Sequence, residues 1–210
     1  MDKRENKLSS HILLIIGAII MLVPFVWMIL TSFKTITETT QLDPFVIFPS
    51  KWRFDAYKSV IKQMNFLLLY WNTIKFIILR VLFALATATI AAYAFARLNF
   101  KGKNMAFSLV LIQMMIPSQI FIIPQYQMVS KLGLLNTTLG LVFPGIVTAF
   151  GTFLLRQAFM GLPKELEEAA KLDGCNTFQT FYYVMLPLVK SSLVSLGIFT
   201  ALFAFKDLMW

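Results

Sequence analysis

Five apolar stretches, about 11–33, 71–95, 105–128, 138–159 and 188–205, constrain this chain more than any other feature. Each approaches or exceeds the roughly 20 helical residues that cross a hydrocarbon core. Inside a bilayer no water bonds the backbone, so runs without strand-like alternation must close their hydrogen bonds as helices. The expected fold class is therefore all-α, a polytopic transmembrane helical bundle. Composition agrees, because 58% hydrophobic and 14% charged residues leave too little polar surface for a soluble chain of 210 residues. The first run follows Lys3, Arg4 and Lys7 like a signal peptide. It continues past a signal core of about 7 to 15 residues and ends in the bulky FVWMILTSF, so a retained anchor is expected.

Lysine and arginine in short connections set orientation. Lys3, Arg4 and Lys7 mark a cytoplasmic N-terminus at 1–10, and Arg97, Lys101 and Lys103 mark the connection after the second run as cytoplasmic too. Residues 34–70 then lie outside as an extracytoplasmic loop. Pro44, Pro49, Trp52 and Tyr57 predict that this loop is irregular and partly rests on the interface. The region 71–210 forms the transmembrane core, with a cytoplasmic loop at 161–187.

That loop holds four of the ten acidic residues, Glu165, Glu167, Glu168 and Asp173. Pro163 suits a first helical position, the glutamates oppose the positive end of the helix dipole, and Gly174 suits a terminus, so a helix of about eleven residues is expected. At about 100° per residue, Leu162, Leu166, Ala169, Ala170 and Asp173 share one face. Lys164, Glu167, Glu168 and Lys171 share the other. A second helix is expected over 178–186, with Phe178, Phe181, Tyr182 and Met185 at helical spacing and Asn176 or Thr177 as its cap. Pro187 would break it before the last run. The acids suit either a solvated connector or a docking element whose carboxylates meet arginines on a partner.

Other chemistries fit less well. The net charge of +9 flanks apolar runs rather than clustering as a nucleic-acid footprint, so no nucleic-acid partner is expected. Cys175 is the only cysteine and His11 the only histidine, and no ionisable pair sits deep in a run as an intramembrane enzyme would require. No metal site is expected. A passive channel or structural membrane subunit would leave the acidic helix without a purpose. Gln113, Ser118, Gln119, Gln125 and Gln127 gather around Pro117 and Pro124 in the third run. They suit helix-to-helix hydrogen bonding at a proline kink, or a lining that bonds hydroxyls of a polar solute with Tyr126 as a stacking surface. Lys75 and Arg80 are expected to snorkel to the interface.

ELEEAAKLDG followed by FYYVMLPL resembles the EAA signature of permease subunits in binding-protein-dependent ABC importers. AAYAFARLNFKGK, IPSQIFIIPQYQMVSKLGLLNTTLGLVFPG and FGTFLLRQAFMGLPKELEEAAKLDG, in this order, resemble the maltose-type carbohydrate branch. The resemblance implies a subunit of a prokaryotic plasma membrane that pairs with a second homologous permease and rests on two cytoplasmic ATPase subunits. An extracytoplasmic solute-binding protein would deliver a sugar, or glycerol-phosphate or another polar solute. ATP would be used by the partner ATPase, with no cofactor bound by this chain. Glu168, Ala169, Ala170, Asp173 and Gly174 occupy the signature positions of the ATPase-coupling helix.

Two departures accompany the resemblance. Ser191 follows Lys190 where relatives bring a second proline, so a gentler bend into the last run is expected. Family members continue past the equivalent of FTALFAFKDLMW into a sixth span. Five spans ending outside at Trp210, poor stability and no support of uptake when this chain is the only copy of its subunit are therefore expected.

Overall fold

The computed structural model describes residues 2–41 and 46–207, with side chains from residue 10 onward. The side chains of Lys3, Arg4 and Lys7, and all of Pro44 and Trp210, lie outside the described residues. Among the described residues there is no strand. The chain divides into two compact units, Met1–Phe66 and Leu67–Trp210.

In the first unit, α1 (Asp2–Ser32) is one continuous helix, of which Ser10–Ser32 is long and apolar enough to cross a membrane. Its side chains, Leu13, Ile20, Met21 and Phe25 among them, are exposed. Beyond it Phe33 gathers Trp52, Phe54 and Tyr57 at ring-centroid distances of 5.1, 5.2 and 5.5 Å. Lys34 donates to the Val46 carbonyl at 2.6 Å and lies 4.1 Å above the Trp27 ring. This cluster gives the 34–70 loop more order than an irregular segment requires. Two short helices, α2 (Ile36–Thr40) and α3 (Asp55–Gln63), complete the unit.

Glu38 staples the loop. It closes a capping box with Thr35, whose backbone N–H donates to Glu38 Oε2 at 2.8 Å. The Ser50 backbone N–H and hydroxyl donate to Oε1. The Ser50 hydroxyl first, then the Thr35 and Ser50 amides, hold the Glu38 carboxyl down at about 2 from its ordinary 4.5. These donors favour the charged form more than the neutral one.

The second unit is built on α4 (Phe66–Arg97), the second helix able to cross a membrane by itself. Ala84, Ala88 and Ala92 recur every fourth residue and are buried. This stripe of small side chains lets neighbouring helices approach closely, which supplies dispersion contacts where lipid offers no hydrophobic driving force. On α8 (Ala149–Met160), a side chain at Gly151 would meet Ala88 at 3.1 Å, Leu196 at 3.0 Å and Thr148 at 2.6 Å. Tyr93 packs edge-on against Phe159 at 5.6 Å and tilts against Phe181 at 4.9 Å. Leu155, Met185, Val189 and Leu196 complete this core.

The remaining three apolar runs are not straight spans. The third divides into α5 (Lys103–Met115) and α6 (Ile122–Lys131), with a 3₁₀ turn at Ser118–Phe121 and a 101° bend. Pro117 disfavours helical geometry at Ile116 and cannot donate a backbone hydrogen bond, whereas Pro124 fits the first turn of α6. In the fourth run α7 (Thr138–Val142) and a 3₁₀ turn over Phe143–Gly145 meet α8 at 50°. The hydroxyl of Thr148 accepts the Gly151 N–H at 3.1 Å and caps the new helix.

In the fifth, the helical run Thr177–Leu188 meets Lys190–Phe205 at 75°. The run comprises α10 (Thr177–Gln179), a π-helical segment Thr180–Met185 and α11 (Leu186–Leu188), and α12 (Lys190–Phe205) follows. This 75° bend is made without a proline at Ser191. Pro187 lies near the end of the helical run Thr177–Leu188, just after the π-helical segment Thr180–Met185, and the break falls at Val189 with φ −98° and ψ 14°. By length and composition the chain has two single-helix spans, or up to five if each bent pair counts as one crossing.

Replacing Gly151 with valine should lower stability by about 1–3 kcal/mol, because α4 and α12 must move apart. A thermal unfolding scan in detergent, with Gly17→Val as the control at an uncrowded glycine, checks it. In the 34–50 loop, the depressed Glu38 pKa stabilises the folded staple fully above pH 4.5, and this contribution disappears as the pH falls through about 2. Protection of the Thr35 and Ser50 amides, relative to their intrinsic exchange rates, should fall across that window in the native protein, and not in Glu38→Gln.

Candidate functional site

The second unit carries two features with chemical potential, a short acidic helix at one end of α4 and a cavity further along it. The helix is α9 (Glu165–Leu172), shorter than the eleven residues expected because Leu162 to Lys164 form the turn leading into it. Its C-terminus follows a defined geometry. Gly174 takes φ +83°, its N–H donates to Lys171 O at 3.0 Å, and the Cys175 N–H donates to Ala170 O at 2.9 Å. These two bonds form a Schellman motif, which needs a left-handed residue after the cap. The glycine was readable from the sequence for this reason.

After the turn, Asn176 rather than Thr177 caps the next helix. Its side chain accepts the Gln179 N–H at 2.9 Å, while the Gln179 side chain accepts the Asn176 N–H at 2.9 Å. The following segment, Thr180–Met185, is π-helical. The wider turn sends Phe178 and Tyr182 outward, where their rings stack at 6.2 Å, and keeps Thr180, Phe181 and Met185 inside. The four residues at helical spacing therefore do not share one buried face.

The orientation of α9 also differs from the helical-wheel expectation. Ala170 is buried and Leu166 and Glu167 are half-buried, whereas Ala169 and Asp173 are exposed alongside Glu165 and Glu168. Leu172 projects into solvent with 89% of its surface exposed. Glu167 faces Arg97 at the end of α4, with Nε to Oε1 at 3.7 Å, and the Arg97 guanidinium donates to the Leu162 carbonyl at 2.5 Å. The Arg97 side chain is 6% exposed. A wheel drawn for α9 alone contains no term for a cation on another helix.

The cavity, about 1070 Å³, lies among α4, the break between α5 and α6, the α7–α8 corner and α12. Gln113, Ser118, Gln119 and Gln125 all line it. Gln127 and Tyr126 do not, and the Tyr126 ring is exposed elsewhere. Arg80 also lines the cavity, contrary to the expectation that it snorkels. Its Nη1 donates to Leu141 O at 3.3 Å, and its guanidinium occupies the space where a side chain at Gly145 would be, 1.7 to 2.2 Å from an added Cβ. Lys206 and Asp207 stand at the same cavity. The sequence signal for this arrangement was the pair of arginine on one run and Pro144-Gly145 on another, which only contact joins.

Described residues that are helical without strands, with apolar helices broken beside a cavity and an acidic helix at one end, define a polytopic membrane protein. The profile of the binding-protein-dependent transport system inner membrane component family matches residues 84–210. The arabinooligosaccharide transport system permease protein AraQ of Halalkalibacterium halodurans is 36% identical over 99% of this chain and 77% of its own length. The lactose transport system permease protein LacG of Rhizobium radiobacter is 26% identical over 99% of this chain and 75% of its own. A solved bacterial ABC transporter involved in the import of the acidic polysaccharide alginate superposes with a TM-score of 0.78 at 26% identity, covering 97% of this chain and 72% of that one. The chain belongs to this family of ABC importer permeases.

Gly174→Ala should cost about 1–2 kcal/mol of local stability, because the added Cβ meets no neighbour and only the left-handed backbone resists it. Amide exchange at Gly174 and Cys175 should accelerate correspondingly, and Gly174→Asn should show a smaller effect because Asn tolerates that region.

Proposed function

We propose that this chain is the transmembrane permease subunit of an ATP-driven importer for sugars or oligosaccharides, and that α9 couples it to ATP hydrolysis in a partner ATPase. The observation that carries the reading is the outward face of α9, where Glu165, Glu168 and Asp173 surround the exposed Leu172 within the family-matched region. An apolar anchor ringed by carboxylates suits a basic-rimmed groove on a partner. Glu168, Ala169, Ala170, Asp173 and Gly174 are the coupling positions in this reading. Glu168 and Asp173 face the partner, Ala169 permits close approach, Ala170 seats the helix on the permease, and Gly174 sets the turn.

The assembly comprises this subunit, a second homologous permease, two cytoplasmic ATPase subunits and an extracytoplasmic solute-binding protein. ATP is consumed by the ATPase pair and this chain binds no cofactor. The chain spans a prokaryotic plasma membrane with its N-terminus and α9 cytoplasmic and the 34–70 loop outside. ATP-driven closure of the ATPase pair displaces α9 and shifts the bundle between inward-open and outward-open arrangements. Gln113, Ser118, Gln119 and Gln125 offer amides and a hydroxyl to a polyhydroxylated solute passing through the cavity. A second reading, glycerol-phosphate or another anionic polar solute, is favoured by the Arg80 guanidinium at the same cavity.

ATP-dependent uptake by proteoliposomes containing all partner subunits tests the assignment, and competition between neutral oligosaccharides and phosphorylated solutes separates the two readings. Glu168→Lys should reduce substrate-stimulated ATP hydrolysis more than about tenfold while the protein remains in the membrane, because reversed charge repels a basic groove. Wild-type transport by that variant would overturn the role of α9.

A further inference from the structure

Arg97 and Glu167 stand where α4 meets the α8–α9 turn, and neither belongs to the outward face that the proposed coupling uses. Their side chains are 6% and 16% exposed. Removing two charges from water to this extent is costly unless each finds partners. Arg97 meets part of that need by donating to Leu162 O at 2.5 Å, which fixes one arm of the guanidinium to the turn. The other contact is left open. Arg97 Nε and Glu167 Oε1 are 3.7 Å apart, and neither atom has a hydrogen-bond partner.

A charge-assisted N–H···O bond closes at about 2.7–2.9 Å, so a displacement of α9 by less than about 1 Å takes this pair from open to bonded. The low dielectric around it makes the energy steep in that displacement. Tyr93, one turn earlier on α4, is electrostatically coupled to both charges and packs on Phe159 and Phe181. The clasp is thus continuous with the core that joins α4, α8 and the π-helical segment.

Resting on the coupling reading above, we propose that Arg97 is a positioning residue that brackets the α8–α9 turn at two points, Leu162 O and Glu167, and transmits displacement of α9 to α4. A lysine could reach one point but lacks the planar fork that spans both. The bracket faces inward, opposite the exposed Glu168 and Leu172, so it governs what α9 moves rather than what docks on it.

The experiment measures solute moved per ATP hydrolysed in proteoliposomes containing the full chain and its partner subunits. Arg97→Gln and Glu167→Gln should each lower this ratio by about tenfold while the ATPase still co-purifies. The exchange of charges, Arg97→Glu with Glu167→Arg, should recover coupling to within about threefold of the native protein, as a direct pair requires. Arg97→Lys, which keeps the charge and most of the packing, should couple to an intermediate degree. An unchanged ratio in the single variants, an exchanged pair no better than either single, or full coupling in Arg97→Lys would overturn the proposal.

Failure of the coupling reading itself has a different appearance, namely no ATP-dependent uptake by the native complex, or no effect of Glu168→Lys. The bracket is still testable then. In the isolated subunit, exchange of the Glu167 and Glu168 amides, which donate to Lys164 O at 3.0 and 3.2 Å, should accelerate in both single variants and slow again in the exchanged pair. Unaltered exchange would overturn the bracket whatever the transport result.

Discussion

A peptide group that leaves a helix inside hydrocarbon has no water to bond, so every interruption of a span must be satisfied by the protein itself. Three runs in this chain are interrupted, and each interruption satisfies its backbone groups differently. At Pro117 the missing donor is proline's own, and Ile120 N–H returns to Pro117 O at 3.1 Å. At Thr137 and Thr148 hydroxyls accept the Gly140 and Gly151 N–H groups at 3.0 and 3.1 Å. At Val189, two residues after Pro187, the backbone N–H returns to Leu186 O at 3.3 Å. Because non-helical backbone in a membrane belongs against protein or a polar space, the first two interruptions lie beside the cavity lined by Gln113, Ser118, Gln119 and Gln125. The cavity and these two breaks therefore coincide.

Helix α4 joins that cavity to the acidic helix. Arg80 stands at the cavity and Arg97 beneath the α8–α9 turn, 17 residues or about 25 Å apart along one helix without proline. Between them Ala84, Ala88 and Ala92 are buried, and Ala88 abuts the close-packed Gly151. Such a seam packs in discrete arrangements because it has no compressible space. A rigid element with one cation at each functional end is suited to carrying a small displacement over that distance.

Much of this was legible from residues alone. Long apolar runs give helices because the bilayer permits little else, Pro163 and Gly174 bracket α9, and the amides around Pro117 converge on one cavity. The interruptions were less legible, because hydropathy sums over a run and is indifferent to a 101° bend within it. Arg80 was misjudged for a related reason. Snorkelling describes a lone long side chain in lipid, whereas here the absence of a side chain at Gly145 leaves a slot that its guanidinium fills.

The sequence by itself determined the all-helical class, the number of apolar runs, the family and the position and terminus of α9. All of these depend on local order along the chain: hydrophobic length, capping residues and a glycine at the one turn that needs positive φ. Tertiary structure alone decided which face of α9 turns inward. Periodicity placed Ala169 and Asp173 on one face with Leu166 and Ala170, but in the structure Ala170 is buried while Ala169 and Asp173 are exposed, Glu167 turns inward to within 3.7 Å of Arg97, 70 residues earlier, and Leu172 is exposed. A buried cation acts over a few ångströms in space whatever its distance in sequence, and no pattern within α9 records its presence.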